Sequence, residues 1–248
     1  VWTDARPLLE VHDLHAGDPA TTGALRGASL HVGEGEIVGL VGPPGAGKTT
    51  LLLALCGLAP VTHGRILFDD RDITGIRPDD ARRAAGIALV PQRSTVFPGM
   101  SVQENLELGM VRARDRPMVR MGLESAYRRF PQLEACARAP AGALPPAEQR
   151  LLELARALMW SPRLVVLDAL GGELGTDDAR SLYAHLDSAN RMSGVTVLVA
   201  EAVAEPVLVV SHRSYLLEEG RQTLDGTGAD LAARAAVDRA LGGACPQP

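Results

Sequence analysis

Four stretches of the chain are apolar without alternation: Ile37-Val38-Gly39-Leu40-Val41, Ile87-Ala88-Leu89-Val90, Leu164-Val165-Val166-Leu167 and Val195-Thr196-Val197-Leu198-Val199. Short unbroken runs of this kind predict parallel strands covered on both faces. Leu8–His12 and Ala28–Val32 read as strands joined by a loop rich in Gly, Thr and Pro, and Gly64–Asp70 adds a strand with a turn signal after it. These three predict an antiparallel sheet beside the parallel one. Leu51–Cys56 reads as a helix, and residues 93 to 160 turn helical, most clearly from Ala147 to Trp160. There Leu151, Leu154, Ala155 and Leu158 fall on one face. The stretch from Gly194 to Val210 is apolar but carries Glu201, Glu205 and Pro206, so it reads as strand, loop and helix. Residues 139–147, rich in Ala and Pro, are the nearest thing to a linker. The fold class is therefore α/β.

Composition narrows the function more than the fold. A chain of 248 residues buries a substantial core. Charged residues make up 22% and the net charge is −5, without the basic stripe that nucleic acid requires. Cys56, Cys136 and Cys245 are odd in number and far apart, which fits reduced thiols rather than a disulfide frame or a zinc site. Asp4, Arg6, Glu10 and Asp13 interrupt any signal-like run, and no uncharged stretch is long enough to span a bilayer. Membrane insertion is not expected; any membrane connection runs through a partner.

The candidate chemistry begins directly after the first buried run. Gly42, Pro43, Pro44, Gly45, Ala46, Gly47, Lys48, Thr49 and Thr50 fit the phosphate-binding pattern G-x-x-x-x-G-K-S/T. Such a loop points successive backbone N–H groups at a polyphosphate, at a helix N-terminus where anions are favoured. Lys48 would neutralise the β- and γ-phosphates, and the Thr49 hydroxyl would ligate Mg²⁺. Asp168 closes the apolar strand Leu164–Leu167, where the Mg²⁺-holding aspartate of such proteins sits. Gln92 follows Leu89-Val90-Pro91 and by itself has little specificity. No N-K-x-D guanine motif is present.

Taken together these residues resemble the nucleotide-binding subunit of an ATP-binding cassette (ABC) transporter, most like the branched-chain amino acid importer type. Val90-Pro91-Gln92-Arg93, Val96-Phe97-Pro98 and Ser101-Val102-Gln103-Glu104-Asn105-Leu106 look like its Q-loop region. Ser214–Arg221 and Leu241-Gly242-Gly243 are similar to its C-terminal part, so the resemblance runs from about Leu8 to Gly243. It implies a single nucleotide-binding domain over 1–248, with a core of 1–92 and 161–248 and a helical subdomain of about 93–160. It also implies ATP and Mg²⁺, with Thr49, Gln92 and Asp168 at the metal. The implied partners are a second ABC ATPase subunit and integral membrane permease subunits, with the chain peripheral on the cytoplasmic face.

The departures from the family pattern weaken the implied hydrolysis. The family's water-polarising glutamate falls at Ala169, and a general base contributes about 10²–10⁴-fold. The next residue is Leu170 instead of Pro, and Gly171–Gly175 does not match the family D-loop. The switch histidine falls at Ala202, and nothing places His212 by the γ-phosphate. The signature, LSGGQ or LSGGEQ in the family, stands as Leu144-Pro145-Pro146-Ala147-Glu148-Gln149. Prolines suit a helix start but lack an N–H, and Pro145 also removes the hydroxyl. Two lost charge-assisted bonds of about 1.5–3 kcal/mol each would weaken the contact to a partner's ATP. The adenine-stacking aromatic falls at Asp18, a loss of about 1–3 kcal/mol. Pro44 removes an N–H from the phosphate loop. Three readings follow. In the first the subunit binds Mg-ATP and docks on membrane subunits with weak or absent hydrolysis. In the second it is a competent transport ATPase with unrecognised substitutes. In the third it is a regulatory module using the cassette as a scaffold.

Overall fold

The computed structural model describes residues 7–18, 24–110, 115–202 and 204–232. Asp4, Arg6, Leu241-Gly242-Gly243 and Cys245 lie outside the described residues. The unbroken apolar runs form neighbouring strands of one sheet: β3 (Ile37–Val41), β6 (Ile87–Val90), β7 (Leu164–Asp168) and β8 (Thr196–Glu201). With β9 (Arg213–Glu218) and β10 (Arg221–Gly226) the strand order is β10-β9-β3-β8-β7-β6. All neighbours are parallel except β9 and β10, a hairpin turned on Glu219 and Gly220, both at positive φ.

A second, antiparallel sheet has the order β2-β1-β4-β5, from β1 (Pro7–Ala16), β2 (Leu25–Gly33), β4 (Val61–Phe68) and β5 (Arg71–Asp72). The strand expected through Asp70 ends at Phe68. Asp69 and Asp70 adopt left-handed φ of 52° and 59° and make the two-residue turn into β5. Asp tolerates that conformation because its short side chain bonds locally.

The lack of alternation in β3 has a direct cause. Ile37 and Val41 enter one hydrophobic cluster, while Val38 and Leu40 enter another on the opposite face. The second cluster joins the antiparallel sheet to α1 (Lys48–Leu55). The first takes in the long helix α7 (Thr176–Ser193) and α8 (Ala204–Val210) after β8, while the one-turn α2 (Pro78–Asp80) precedes β6. It also takes in the helices between β6 and β7: α3 (Val102–Glu107), α4 (Arg116–Arg129), α5 (Pro131–Ala135) and α6 (Pro146–Leu158). Those helices therefore share a core with the sheet.

Two expectations need correction. Residues 139–147 are not a linker: Ala141 is fully buried, its N–H donates to Met100 O at 2.8 Å, and Val102 N–H donates to Ala139 O at 3.0 Å. The segment packs because its small side chains let backbone meet backbone. Helix does not start at 93 either. Residues 93–100 form a loop, and α3 begins only where Ser101 and Glu104 complete a reciprocal capping box.

One buried amide holds the far end of that loop. Asn105 is fully buried; its Oδ1 accepts from Phe97 N–H at 2.9 Å, and its Nδ2 donates to Phe97 O and Ser101 O, both at 3.0 Å. Asn105→Ala leaves backbone groups without partners and is expected to lower unfolding free energy by about 1–3 kcal/mol in urea titration.

Candidate nucleotide site

Parallel register brings four strand ends to one edge. Val41 pairs with Glu201, Asp168 with Ala200, and Val90 with Leu167. Gly42, Gln92, Ala169 and Ala202 therefore all leave the sheet at its carboxyl edge, where ligands of open α/β sheets bind. The loop from Gly42 to Gly47 curls because its glycines permit it. Gly42 has φ 155°, and a Cβ there would stand 2.1 Å from Leu217 O. Gly45 and Gly47 have φ of 79° and 102°. Pro43, Pro44 and Gly45 are exposed, while Ala46 is buried and its N–H donates to Pro43 O at 3.2 Å.

Gly47 is the N-cap of α1, and the first N–H closed within that turn is Leu51 to Gly47 O at 3.0 Å. The N–H groups of Lys48, Thr49 and Thr50 thus lie at the unsatisfied end of the helix, where an anion is stabilised. Lys48 Nζ folds over the loop and donates to Gly42 O at 2.7 Å and Pro43 O at 2.9 Å. Burial lowers its pKa, opposed by the carboxylates of Asp168 and Glu201.

Thr49 Oγ1 donates to Asp168 Oδ1 at 3.2 Å. Asp168 is buried, and burial raises its pKa against the Thr49 bond and the charges of Lys48 and Arg150. A hydroxyl beside an incompletely compensated buried carboxylate is the hard-oxygen donor set that Mg²⁺ takes. Gln92 leaves the adjacent strand at the same edge, exposed; among the described residues no hydrogen bond ties it to Thr49 or Asp168.

Ala169, at φ 48°, turns the chain out of β7 with its N–H on Ala200 O at 2.8 Å, and its methyl offers no proton acceptor. Ala202 is exposed, one residue past the end of β8. His212 is elsewhere: its Nδ1 accepts from Ile37 N–H at 3.0 Å, at the amino end of β3. Asp18 is exposed, beyond the end of β1. Pro145 is the N-cap of α6 and Pro146 its first residue, both exposed, whereas Leu144 is buried. Gln149 turns inward, its Nε2 donating to Leu144 O at 2.9 Å. The start of α6 therefore presents only the N–H groups of Ala147 and Glu148, beside the Glu148 carboxylate. Among the described residues no hydrogen bond or ion pair joins 144–149 to 42–50.

Sequence reasoning missed Glu201. It is buried at the end of β8, with Oε1 accepting from Gly171 N–H at 2.7 Å and from Tyr183 Oη. Its Oε2 is buried with no hydrogen-bond partner among the described residues, and burial raises the pKa of the carboxyl group. The signal was present, since Glu201 closes an apolar run just as Asp168 does. Arg150 and Glu153 were also missed: an ion pair of 2.6 Å with both residues buried, spaced i,i+3 beside the apolar stripe of α6.

Comparison with known proteins puts these features in a family context. The sequence model of the family described as ABC transporter matches residues 25–169. The chain is 34% identical over 221 residues to the high-affinity branched-chain amino acid transport ATP-binding protein BraG of Pseudomonas aeruginosa, covering 89% of this chain and 94% of that one. It is 33% identical over 208 residues to the lipopolysaccharide export system ATP-binding protein LptB of Escherichia coli, covering 82% and 84%. Among solved structures it superposes on the ADP conformation of MJ1267, an ATP-binding cassette of an ABC transporter, with a TM-score of 0.81. That match has 24% identity and covers 96% of this chain and 100% of the other.

The raised carboxyl pKa values of Glu201 and Asp168 make a pH prediction for the nucleotide-free protein. From their ordinary values, 4.5 and 3.8, up to their raised folded values, the native state binds more protons than the unfolded chain. The contribution of these two groups to stability therefore falls as pH rises through that window, and it is lost above it. Glu201→Gln removes one of the two groups, so the fall above pH 4.5 should become shallower in urea titrations from pH 4 to 8; unchanged slopes would contradict the assignment.

Proposed function

This chain belongs to the ABC transporter family, and on that premise we propose that it is the ATP-binding subunit of an importer resembling those for branched-chain amino acids. In this reading it forms one nucleotide-binding domain over 1–248, with a helical subdomain of about 93–160. It docks on integral membrane permease subunits at the cytoplasmic face, beside a second ABC ATPase subunit, and its own hydrolysis is weak or absent. The observation that carries the reading is the phosphate loop at the carboxyl edge, with Lys48 closed over it and Thr49 bonded to Asp168.

On ATP binding, the N–H groups of Lys48, Thr49 and Thr50 would take phosphate oxygens, and Lys48 Nζ would exchange its two carbonyl partners for the β- and γ-phosphates. Thr49 and Asp168 would hold Mg²⁺, with Gln92 reaching it from the neighbouring strand. Bound there, the ion supplies neutralisation of charge on the β- and γ-oxygens. The missing step is proton acceptance from water, because position 169 carries a methyl group. Pro145 and Pro146 weaken the complementary contact that this chain would offer a partner's ATP.

One feature supports docking. A groove of about 700 Å³ opens beside the Gln92 segment, lined in part by Leu58, Arg82, Phe97, Leu108 and Trp160. Leu58 and Phe97 are half exposed, at 54% and 50%, as suits a partner's amphipathic segment. The second reading, a competent ATPase, is favoured by one observation: the unpartnered Oε2 of Glu201 at the same edge.

Titration with a fluorescent ATP analogue and Mg²⁺ should give binding that Lys48→Ala weakens at least about tenfold, a loss of roughly 1.4 kcal/mol. Phosphate release should stay close to the Lys48→Ala background, and Ala169→Glu should raise it, with general-base effects of about 10²–10⁴-fold as the ceiling. Robust release by the unaltered chain, abolished by Lys48→Ala, would overturn weak hydrolysis in favour of the second reading. Absence of binding would overturn both.

A further inference from the structure

One guanidinium ties together three segments that meet below the nucleotide site. Arg150 Nε donates to Leu170 O at 3.0 Å and Nη2 to Ala169 O at 3.1 Å, so the turn after Asp168 is held through both of its carbonyls. Nη1 donates to Pro91 O at 3.4 Å, next to Gln92, and to Glu153 Oε2 at 2.6 Å. The other oxygen of Glu153 accepts from Ser94 Oγ at 3.0 Å, Thr95 Oγ1 at 3.1 Å and Thr95 N–H. One turn further along α6, Arg156 Nη1 donates to Thr95 O at 2.9 Å. Thr95, Glu153 and Arg156 line the groove that also contains Phe97 and Trp160. An unbroken path of hydrogen bonds thus runs from the Asp168 turn to the groove wall.

We propose that Arg150 and Glu153 are positioning residues that carry the occupancy of the nucleotide site to the docking groove. The inference rests on the reading that Lys48, Thr49 and Asp168 hold Mg-ATP. If Thr49 and Asp168 turn to hold Mg²⁺, they would give up their mutual hydrogen bond at the end of β7, and the next two carbonyls, of Ala169 and Leu170, accept from Arg150. Glu153 is 1% exposed and Arg150 9%, so neither can replace a lost partner with water. A shift of the turn is therefore passed to Pro91 and, through Glu153, to Ser94 and Thr95. The planar five-donor fork of arginine is what allows one side chain to hold all of these; a lysine ammonium of similar charge has no such geometry.

The test uses Trp160, which lines the groove with Arg82 stacked 5.5 Å from its ring centroid. The chain has two tryptophans, so Trp2→Phe leaves Trp160 as the only reporter. ATP with Mg²⁺ is titrated calorimetrically for Kd, and Trp160 emission is followed in parallel. A response is expected in the Trp2→Phe protein. Added Arg150→Lys or Glu153→Gln should reduce it at least threefold while Kd stays within threefold. Glu153→Gln is nearly isosteric and keeps the acceptor for Ser94 and Thr95, so it decides the matter if Arg150→Lys does not fold. A full Trp160 response in Glu153→Gln, or binding without any response in the parent, overturns the proposal. Absence of calorimetric binding in the parent removes the site reading itself, and with it the coupling, and is distinguished by the Kd measurement.

Discussion

Two buried carboxylates at the end of a buried sheet constrain everything around them. Asp168 and Glu201 are the last residues of β7 and β8, and a charge out of water is tolerated only when it is paired or hydrogen-bonded. Lys48 approaches from the phosphate loop and Arg150 from α6, so one balancing charge comes from each side of the sheet. The compensation is incomplete, as the raised pKa of both carboxyl groups indicates. An edge with two buried, incompletely compensated carboxyl groups, facing a loop with unsatisfied N–H groups, is suited to a ligand that brings a divalent cation and phosphates together.

The same balance explains why α6 matters beyond its packing. Its apolar stripe docks it in the shared core, which fixes Arg150 under the Asp168 turn and Glu153 against Ser94 and Thr95. The helix start is a different matter. Pro145 and Pro146 initiate α6 well, because the first helical residue has no use for its N–H. A helix end competent for folding is thus a poor donor of hydrogen bonds to a ligand. Folding and ligand recognition draw on the same few atoms there, and this sequence satisfies the first.

The phosphate loop shows the reverse arrangement. Gly42 stands where a Cβ would strike Leu217 O, so the loop's geometry depends on β9 as well as on its own glycines. Pro44 gives up one N–H at an exposed position, yet Lys48 still closes on Gly42 O and Pro43 O. The N–H groups of the helix end remain as donors, and no substitution of the exposed loop residues removes them.

The sequence by itself determined the elements whose evidence is local. Unbroken apolar runs marked strands covered on both faces. The glycines and Lys48-Thr49 marked a loop between strand and helix, and a carboxylate closing a run marked Asp168. Ala169, Pro145 and Pro146 were legible as absences of a proton acceptor, a hydroxyl and N–H groups, because those follow from residue type alone. Tertiary structure decided what depends on distant partners. The packing of 139–147 rests on backbone contacts with residues 100–102, which composition does not reveal. The end of β4 at Phe68 was set by two left-handed aspartates. His212 went to the amino end of β3, a question of register and not of residue type. Arg150 looked like an ordinary helix charge, and its role arises because two segments outside α6, at Pro91 and at Ala169-Leu170, bring carbonyls within reach of the guanidinium that Glu153 of its own helix already holds.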